Sequence, residues 1–289
     1  MVQAVAAYLI WGLLPVYWKA LRGVPAPEIL AHRIVWSLAF LGVIVLIRPE
    51  WTAVKGILEN RRARLLYGVA ACLLAVNWLT YIHGVNTDRI VETSLGYFIN
   101  PLVSVLLGVV FLGERLRRGQ WMAVMLAAIG VAYLTVWVGR LPWIALVLAV
   151  SFGLYGLAKK KAPAGAVPGL VVETGVLFLP AAVGLVVMES WGTGVFGHGT
   201  GATRLLLVLG GLVTAVPLLL FASAARAVPL TTMGLLQYLA PTCGLLIGVW
   251  GYGEGFDRGR QIGFGLIWCG LGVYWLEGIW RGRRWSTRA

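Results

Sequence analysis

The chain has 289 residues, of which 60% are apolar by type, 12% are charged and 14 are Trp, and its mean hydropathy is +0.85. A soluble protein of this length needs more polar surface, so the composition excludes a soluble domain and points to an integral membrane protein. The net charge of +13 does not indicate nucleic acid as a partner, because the 24 Lys and Arg are spread over short loops and not gathered on one face.

Apolar segments long enough to cross a hydrocarbon core of roughly 30 Å as helices follow one another along the chain. They run over approximately 2–21, 27–47, 65–84, 90–112, 119–138, 142–158, 168–188, 203–225, 230–252 and 260–280, ten in all. The first lies beside Met1 with no basic n-region and no small-residue cleavage site, so it is expected to be a permanent helix and not a cleaved signal peptide. The longest loops, around 48–64 and 189–203, have room for one short interfacial helix each but not for a soluble domain. The glycine-rich GTGVFGHGTG in the second of them lacks the preceding strand and the Lys of a phosphate cradle, and reads as an exposed loop. With the N-terminus cytoplasmic, 16 Lys and Arg fall inside and 7 outside, Arg33 lying within a span. That excess places both termini in the cytoplasm and the basic clusters near lipid headgroups.

The fourth and ninth spans repeat each other. SLGYFINPLVSVLLGVVFLGERLRRGQ, from Ser94, aligns without a gap on GLLQYLAPTCGLLIGVWGYGEGFDRGR, 140 positions later. Pro101 falls on Pro241, Gly108 on Gly248, Glu114 on Glu254 and Gly130 on Gly270. The earlier helices keep a register of 140 or 141, with Trp11 on Phe152, Pro27 on Pro168 and Trp51 on Trp191. The expected architecture is therefore an all-α membrane protein of two five-helix repeats, residues 1–140 and 141–289. An odd helix count inserts the second repeat upside down relative to the first.

Inverted repeats of this kind carry their sites at mid-depth, on helices interrupted at matching places. Here the matching places are Pro101 and Pro241, which free the carbonyls of Tyr97 and Gln237 and are expected to act as hinges. Tyr97, Asn100, Gln237 and Tyr238 either face a cavity or serve only the packing of two kinked helices; the glycines beside them read as packing positions. A second candidate set is His32 and Arg33 in the second span with Glu173 in the seventh, at repeat-equivalent places. Three roles are open to it: a structural ion pair or hydrogen-bonded network, a substrate-charge or proton-coupling site, or snorkelling to the headgroups. A third set is Trp11, Asn77, Trp78, Tyr81 and Tyr155, one amide with indoles and hydroxyls suited to a small polar or aromatic ligand. Glu114 and Glu254, next to Arg115, Arg118 and Arg258, read as local anchors at a membrane boundary.

Cys72, Cys243 and Cys269 stand singly in apolar spans and suggest neither disulfide nor metal. No catalytic constellation is present, so the sequence indicates no enzyme and no cofactor. Its expected partners are a small-molecule substrate and membrane lipids.

The strings AYLIWGLLPVYWKAL, PEILAHRIVWS, NWLTYIHGVN, ETSLGYFINPLVSVLLGVVFLGERLRRGQW and VPLLLFASAARAVPLTTMGLLQYLAPT resemble the RarD branch of the EamA transporters, in the drug/metabolite transporter superfamily. The resemblance covers nearly the whole chain and implies ten helices, an inner-membrane location and movement of a small metabolite or drug, commonly outward. It implies a cavity near Trp11, Asn77, Tyr97, Asn100, Tyr155, Gln237 and Tyr238, and it matches His32-Arg33 and Glu173 to family HR and ET pairs. The function expected is secondary active transport by alternating access, driven by a gradient of protons or of the substrate itself. A passive channel and a non-transporting scaffold or sensor are the alternatives.

Overall fold

In the computed structural model, which describes residues 1–21, 23–47, 50–86, 90–139, 143–251 and 257–286, the apolar runs are helices. In chain order these are α1 (Val2–Lys19), α2 (Ala26–Ile47), α3 (Trp51–Glu59), α4 (Arg61–Asn86), α5 (Ile90–Leu112), α6 (Arg118–Val138), α7 (Trp143–Lys161), α8 (Ala166–Ser190), α9 (Gly201–Ala227), α10 (Leu230–Leu236), α11 (Leu239–Leu246) and α12 (Arg258–Ser286). Among the described residues, α2 and α4 to α9 are long and apolar enough to cross a membrane. Large apolar side chains such as Leu46, Ile47, Val136 and Leu179 are exposed on their outer surfaces, which suits lipid as the surrounding solvent. The boundary expected at 140/141, and Glu254, lie outside the described residues.

Local chemistry sets several helix ends. Asn60 accepts the backbone N–H groups of Arg62 and Ala63 through its Oδ1 and starts α4, while the Thr200 side chain accepts from Thr203 N at 3.2 Å and starts α9. Gly139, at φ 77°, ends α6 in the left-handed conformation that glycine adopts without strain. The short helix α3 occupies the first long loop. Its Val54 and Ile57 are buried against the bundle while Trp51, Lys55 and Glu59 face outward, the pattern of a helix lying along an interface.

The ninth span departs from the single helix expected over 230–252. Helix α10 stops at Leu236, α11 begins at Leu239, and a wider π-helical turn covers Ile247–Gly251. Pro241 is the physical reason for the first break. It has no N–H to offer the Gln237 carbonyl, which instead accepts from Ala240 N at 3.2 Å in a tighter turn. Pro101 sits inside the unbroken α5, so the two matched prolines differ in their local effect.

The helices pack mainly across the sequence midpoint: α12 on α6, α8 and α9 on α2, α7 and α10 on α5, α7 on α4, and α9 and α11 on α1. Several contacts occur twice at the repeat register. A Cβ on Gly130 would stand 2.8 Å from the Gly263 carbonyl oxygen, and one on Gly270 would stand 2.7 Å from that of Ala123. Likewise Gly12 faces Cys243 and Ala240, and Gly153 faces Val103 and Leu107. Trp11 and Phe152, the equivalent aromatics of α1 and α7, meet edge to face at 5.6 Å, flanked by Tyr8, Phe221 and Tyr155 at the centre of the bundle.

Because the two glycine approaches are the same contact made twice, Gly130→Leu and Gly270→Leu are expected to destabilise to similar degrees, each by about 1–3 kcal/mol of overpacking. Gly175→Leu, where nothing lies within 4 Å of the added carbon, serves as the neutral control. Thermal unfolding in detergent measures all three; one crowded site proving neutral beside a damaging partner would contradict the equivalence.

Candidate functional site

Arg33 lies two turns inside α2, where a charge costs about 2.5–3.5 kcal/mol on insertion scales and therefore needs partners. Its Nε donates to Thr214 Oγ1 on α9 at 2.9 Å. The guanidinium carbon lies over two indoles, 4.7 Å from the Trp18 ring centroid on α1 and 4.6 Å from that of Trp78 on α4. Each such contact is worth about 0.5–2 kcal/mol, so the pair offsets much of the insertion cost. The hydroxyls of Tyr17, Tyr81 and Tyr97 lie within electrostatic range, with the Tyr81 and Tyr97 rings packed at 5.8 Å and the Tyr17 hydroxyl donating to the Leu206 carbonyl.

Helices α1, α2, α4, α5 and α9 thus converge on one cation, which stays partly exposed. Among the described residues no carboxylate pairs with it. Of its five N–H donors only Nε is engaged there.

Glu173, the repeat-equivalent partner considered for Arg33, is engaged elsewhere. Its Oε1 accepts from Lys159 Nζ at 2.7 Å and its Oε2 from the Tyr155 hydroxyl at 3.1 Å. All three side chains are buried. Lys159 also lies 5.5 Å from the Tyr67 ring centroid. Further ties close this end of the bundle: Lys160 Nζ donates to the Val228 carbonyl and Arg226 Nη1 to that of Ala164, each at 2.7 Å, and Ala164 N donates to the Tyr67 hydroxyl at 3.2 Å.

Glu114 corrects the expectation of a local anchor. It reaches across to the other half and accepts from Leu230 N at 2.7 Å and Thr231 N at 2.9 Å, capping α10. A carboxylate there satisfies two unpaired helix-end N–H groups and favours the positive end of the helix, a gain that solvated arginines beside it could not match.

His32 belongs to a third cluster. Its Nδ1 accepts from Trp36 Nε1 at 3.2 Å, its ring packs on Phe196 at 4.6 Å, and its Nε2 lies 3.9 Å from Glu28 Oε1. Glu28 is buried and accepts from Val195 N and Phe196 N at 2.8–2.9 Å. The GTGVFGHGTG loop is therefore not simply exposed: Val195 and Phe196 pack with Leu21, Val24 and Leu207, and the loop closes on the start of α2.

The remaining expected residues are dispersed. Asn77 is buried and gives its amide N–H groups to Leu148 O and Ser151 Oγ on α7, each at 3.0 Å. Asn77→Leu removes both of these buried bonds to α7 and is expected to cost about 1–3 kcal/mol, read as a lowered thermal midpoint; an unchanged midpoint would remove it from the α4–α7 contact. Asn100 is buried with neither amide atom bonded, and Tyr238, at the α10–α11 break, is buried with its hydroxyl unbonded. Gln237 lies buried at the same break. Trp11 sits in the central aromatic cluster.

The fold thus brings Arg33, Trp78, Tyr81 and Tyr97 together at one end and Tyr155 with Glu173 at the other, and leaves His32 with Glu28. Sequence reasoning missed Trp18, Thr214, Lys159 and Glu28. Two signals were available. Lys159 follows Tyr155 by one helical turn, and Trp18 occupies the place in the first repeat that Lys159 occupies in the second.

Residues 1–136 match the model of the EamA-like transporter family. The chain is 47% identical to the protein RarD of Streptomyces exfoliatus, over 98% of this chain and 90% of that one. It is 43% identical to an uncharacterized transporter of Vibrio cholerae, over 96% and 91%. A solved crystal structure shares the fold with a TM-score of 0.69 at 20% identity, covering 94% of this chain and 95% of the other. With its apolar helices, the chain is a multi-pass membrane protein of a transporter family, and it belongs to the RarD branch of the EamA family in the drug/metabolite transporter superfamily.

Proposed function

We propose that the protein is a secondary active transporter that moves a small molecule outward across the inner membrane by alternating access. In this reading ten spans, with α1, the broken α10–α11 and α12 joining the seven long apolar helices, form two inverted five-helix repeats over 1–140 and 141–289. The contacts made twice at a separation of 140 or 141 support the inversion.

One observation carries the mechanism. On one side of the Trp11–Phe152 contact the Arg33 cluster is partly exposed between five helices. On the other side Lys159, Glu173, Tyr155 and Tyr67 are sealed and cross-tied. With the N-terminus cytoplasmic, this is an outward-open state with a closed inner gate. Because the halves are equivalent, a rocking motion that closes helices over Arg33 opens the Lys159–Glu173 end. The buried, unbonded groups of Asn100, Tyr8 and Tyr238 are donors and acceptors that a second arrangement can use. Pro241, at a backbone break, is the hinge best placed to bend.

Counterflow into proteoliposomes, loaded with a mixed panel of amino acids, organic acids, nucleosides and sugars, tests the reading. A carrier gives saturable, trans-stimulated exchange of some member of the panel. Linear, unsaturable flux would indicate a channel, and no flux a scaffold or sensor.

A further inference from the structure

We propose that Arg33 is the anchor for a single carboxylate on the transported molecule, and that the substrates are small organic monocarboxylates with an apolar or aromatic body. This rests on the transport reading above and names its substrate class. A buried or half-buried arginine in a bundle normally pairs with an acidic side chain. The second repeat obeys that rule through Lys159 and Glu173. The first repeat does not: the position of Lys159 is taken by Trp18, and the guanidinium rests between Trp18 and Trp78 with no carboxylate beside it among the described residues.

Two indoles lie against the guanidinium and Thr214 holds Nε. What remains is the Nη edge, whose paired N–H groups match the two oxygens of a carboxylate in a planar fork. The Tyr81 and Tyr97 hydroxyls near the guanidinium can donate to the same anion. Among the described residues the cluster holds one cation and no second Lys, Arg or His, which fits a monoanion better than a phosphate dianion. Apart from Thr214, the side chains placed around the guanidinium are aromatic, Trp18 and Trp78 with Tyr17, Tyr81 and Tyr97. They take an apolar or aromatic body.

The test uses the full chain in proteoliposomes loaded with phenylacetate, indole-3-acetate, leucine and phenylalanine, each beside its primary amide, and with uncharged nucleosides and sugars. Efflux is followed by mass spectrometry against protein-free liposomes. The expected result is efflux of carboxylates but not of their amides, with Arg33→Gln lowering kcat/KM for the carboxylate about tenfold to a hundredfold. Arg33→Lys retains part of that activity at a raised KM, because it keeps the charge and loses the fork. Efflux of uncharged compounds alone, or carboxylate efflux by Arg33→Gln at the wild-type rate, would overturn the carboxylate assignment and leave transport standing. Should Arg33→Gln fail to fold, an unchanged KM in Arg33→Lys would overturn it equally. No efflux of any compound would remove the transport reading and this inference with it.

Discussion

Lys159→Met is expected to lower the thermal midpoint by about 10 °C, because it strands Glu173 as a charge with no counter-ion in a sealed interior. Removing one partner of a buried pair costs about 3–5 kcal/mol, and in a protein of this size each kcal/mol moves the midpoint by a few degrees. The Tyr155 hydroxyl still donates to Glu173, but one neutral donor does not replace an ammonium at 2.7 Å. The double variant Lys159→Met, Glu173→Leu is expected to recover most of the loss, since apolar groups of similar volume cost nothing to desolvate. Thermal unfolding of the purified variants decides it. A single variant as stable as the wild type would mean that the pair does not hold the closed end.

The second large effect is expected at Gly211, where α9 crosses α2. A side chain there runs into the backbone of Trp36 and Ser37, and Ser37 Oγ donates to the Gly211 carbonyl at 2.9 Å. Nothing flexible is available to move aside, so Gly211→Leu forces the helices apart, beyond the usual overpacking cost of about 3 kcal/mol. Separation of α2 from α9 also removes the bond from Arg33 to Thr214, one turn along the same contact. Size-exclusion chromatography is expected to show little monodisperse protein for this variant and normal yield for Gly265→Leu, whose added carbon meets nothing within 4 Å. Normal yield from both would contradict the close α2–α9 approach.

Much of the helix pattern was legible because span length and apolarity are properties of the sequence alone. The interruption near Gln237 was not. Pro101 and Pro241 look identical in the alignment, and only their surroundings decide that α5 continues through one proline while the chain breaks before the other. The charged groups show the same limit. Arg33 and Glu173 stood out as intramembrane charges, yet helix rotation assigns their partners, and rotation is fixed by packing such as the Gly211–Trp36 approach. Lys159 was concealed in a run of three lysines that reads as a basic helix end. Glu114 reads in sequence as a local anchor and Glu28 carries no signal of its own, whereas each finds backbone N–H groups distant in sequence. Backbone donors leave no trace in a residue pattern, which is why both contacts went unforeseen.

The most direct measurement of the inverted arrangement uses Trp51 and Trp191, which are 140 residues apart and 63% and 77% exposed. Each is changed singly to Cys in a chain whose Cys72, Cys243 and Cys269 are replaced by Ala, and intact cells are treated with a membrane-impermeant maleimide. Opposed halves with a cytoplasmic N-terminus predict that the Trp191→Cys protein is labelled at once and the Trp51→Cys protein only after permeabilisation. Labelling of both from the same side of the membrane would contradict the two-fold arrangement, and with it the equivalence of the open and closed ends on which alternating access depends.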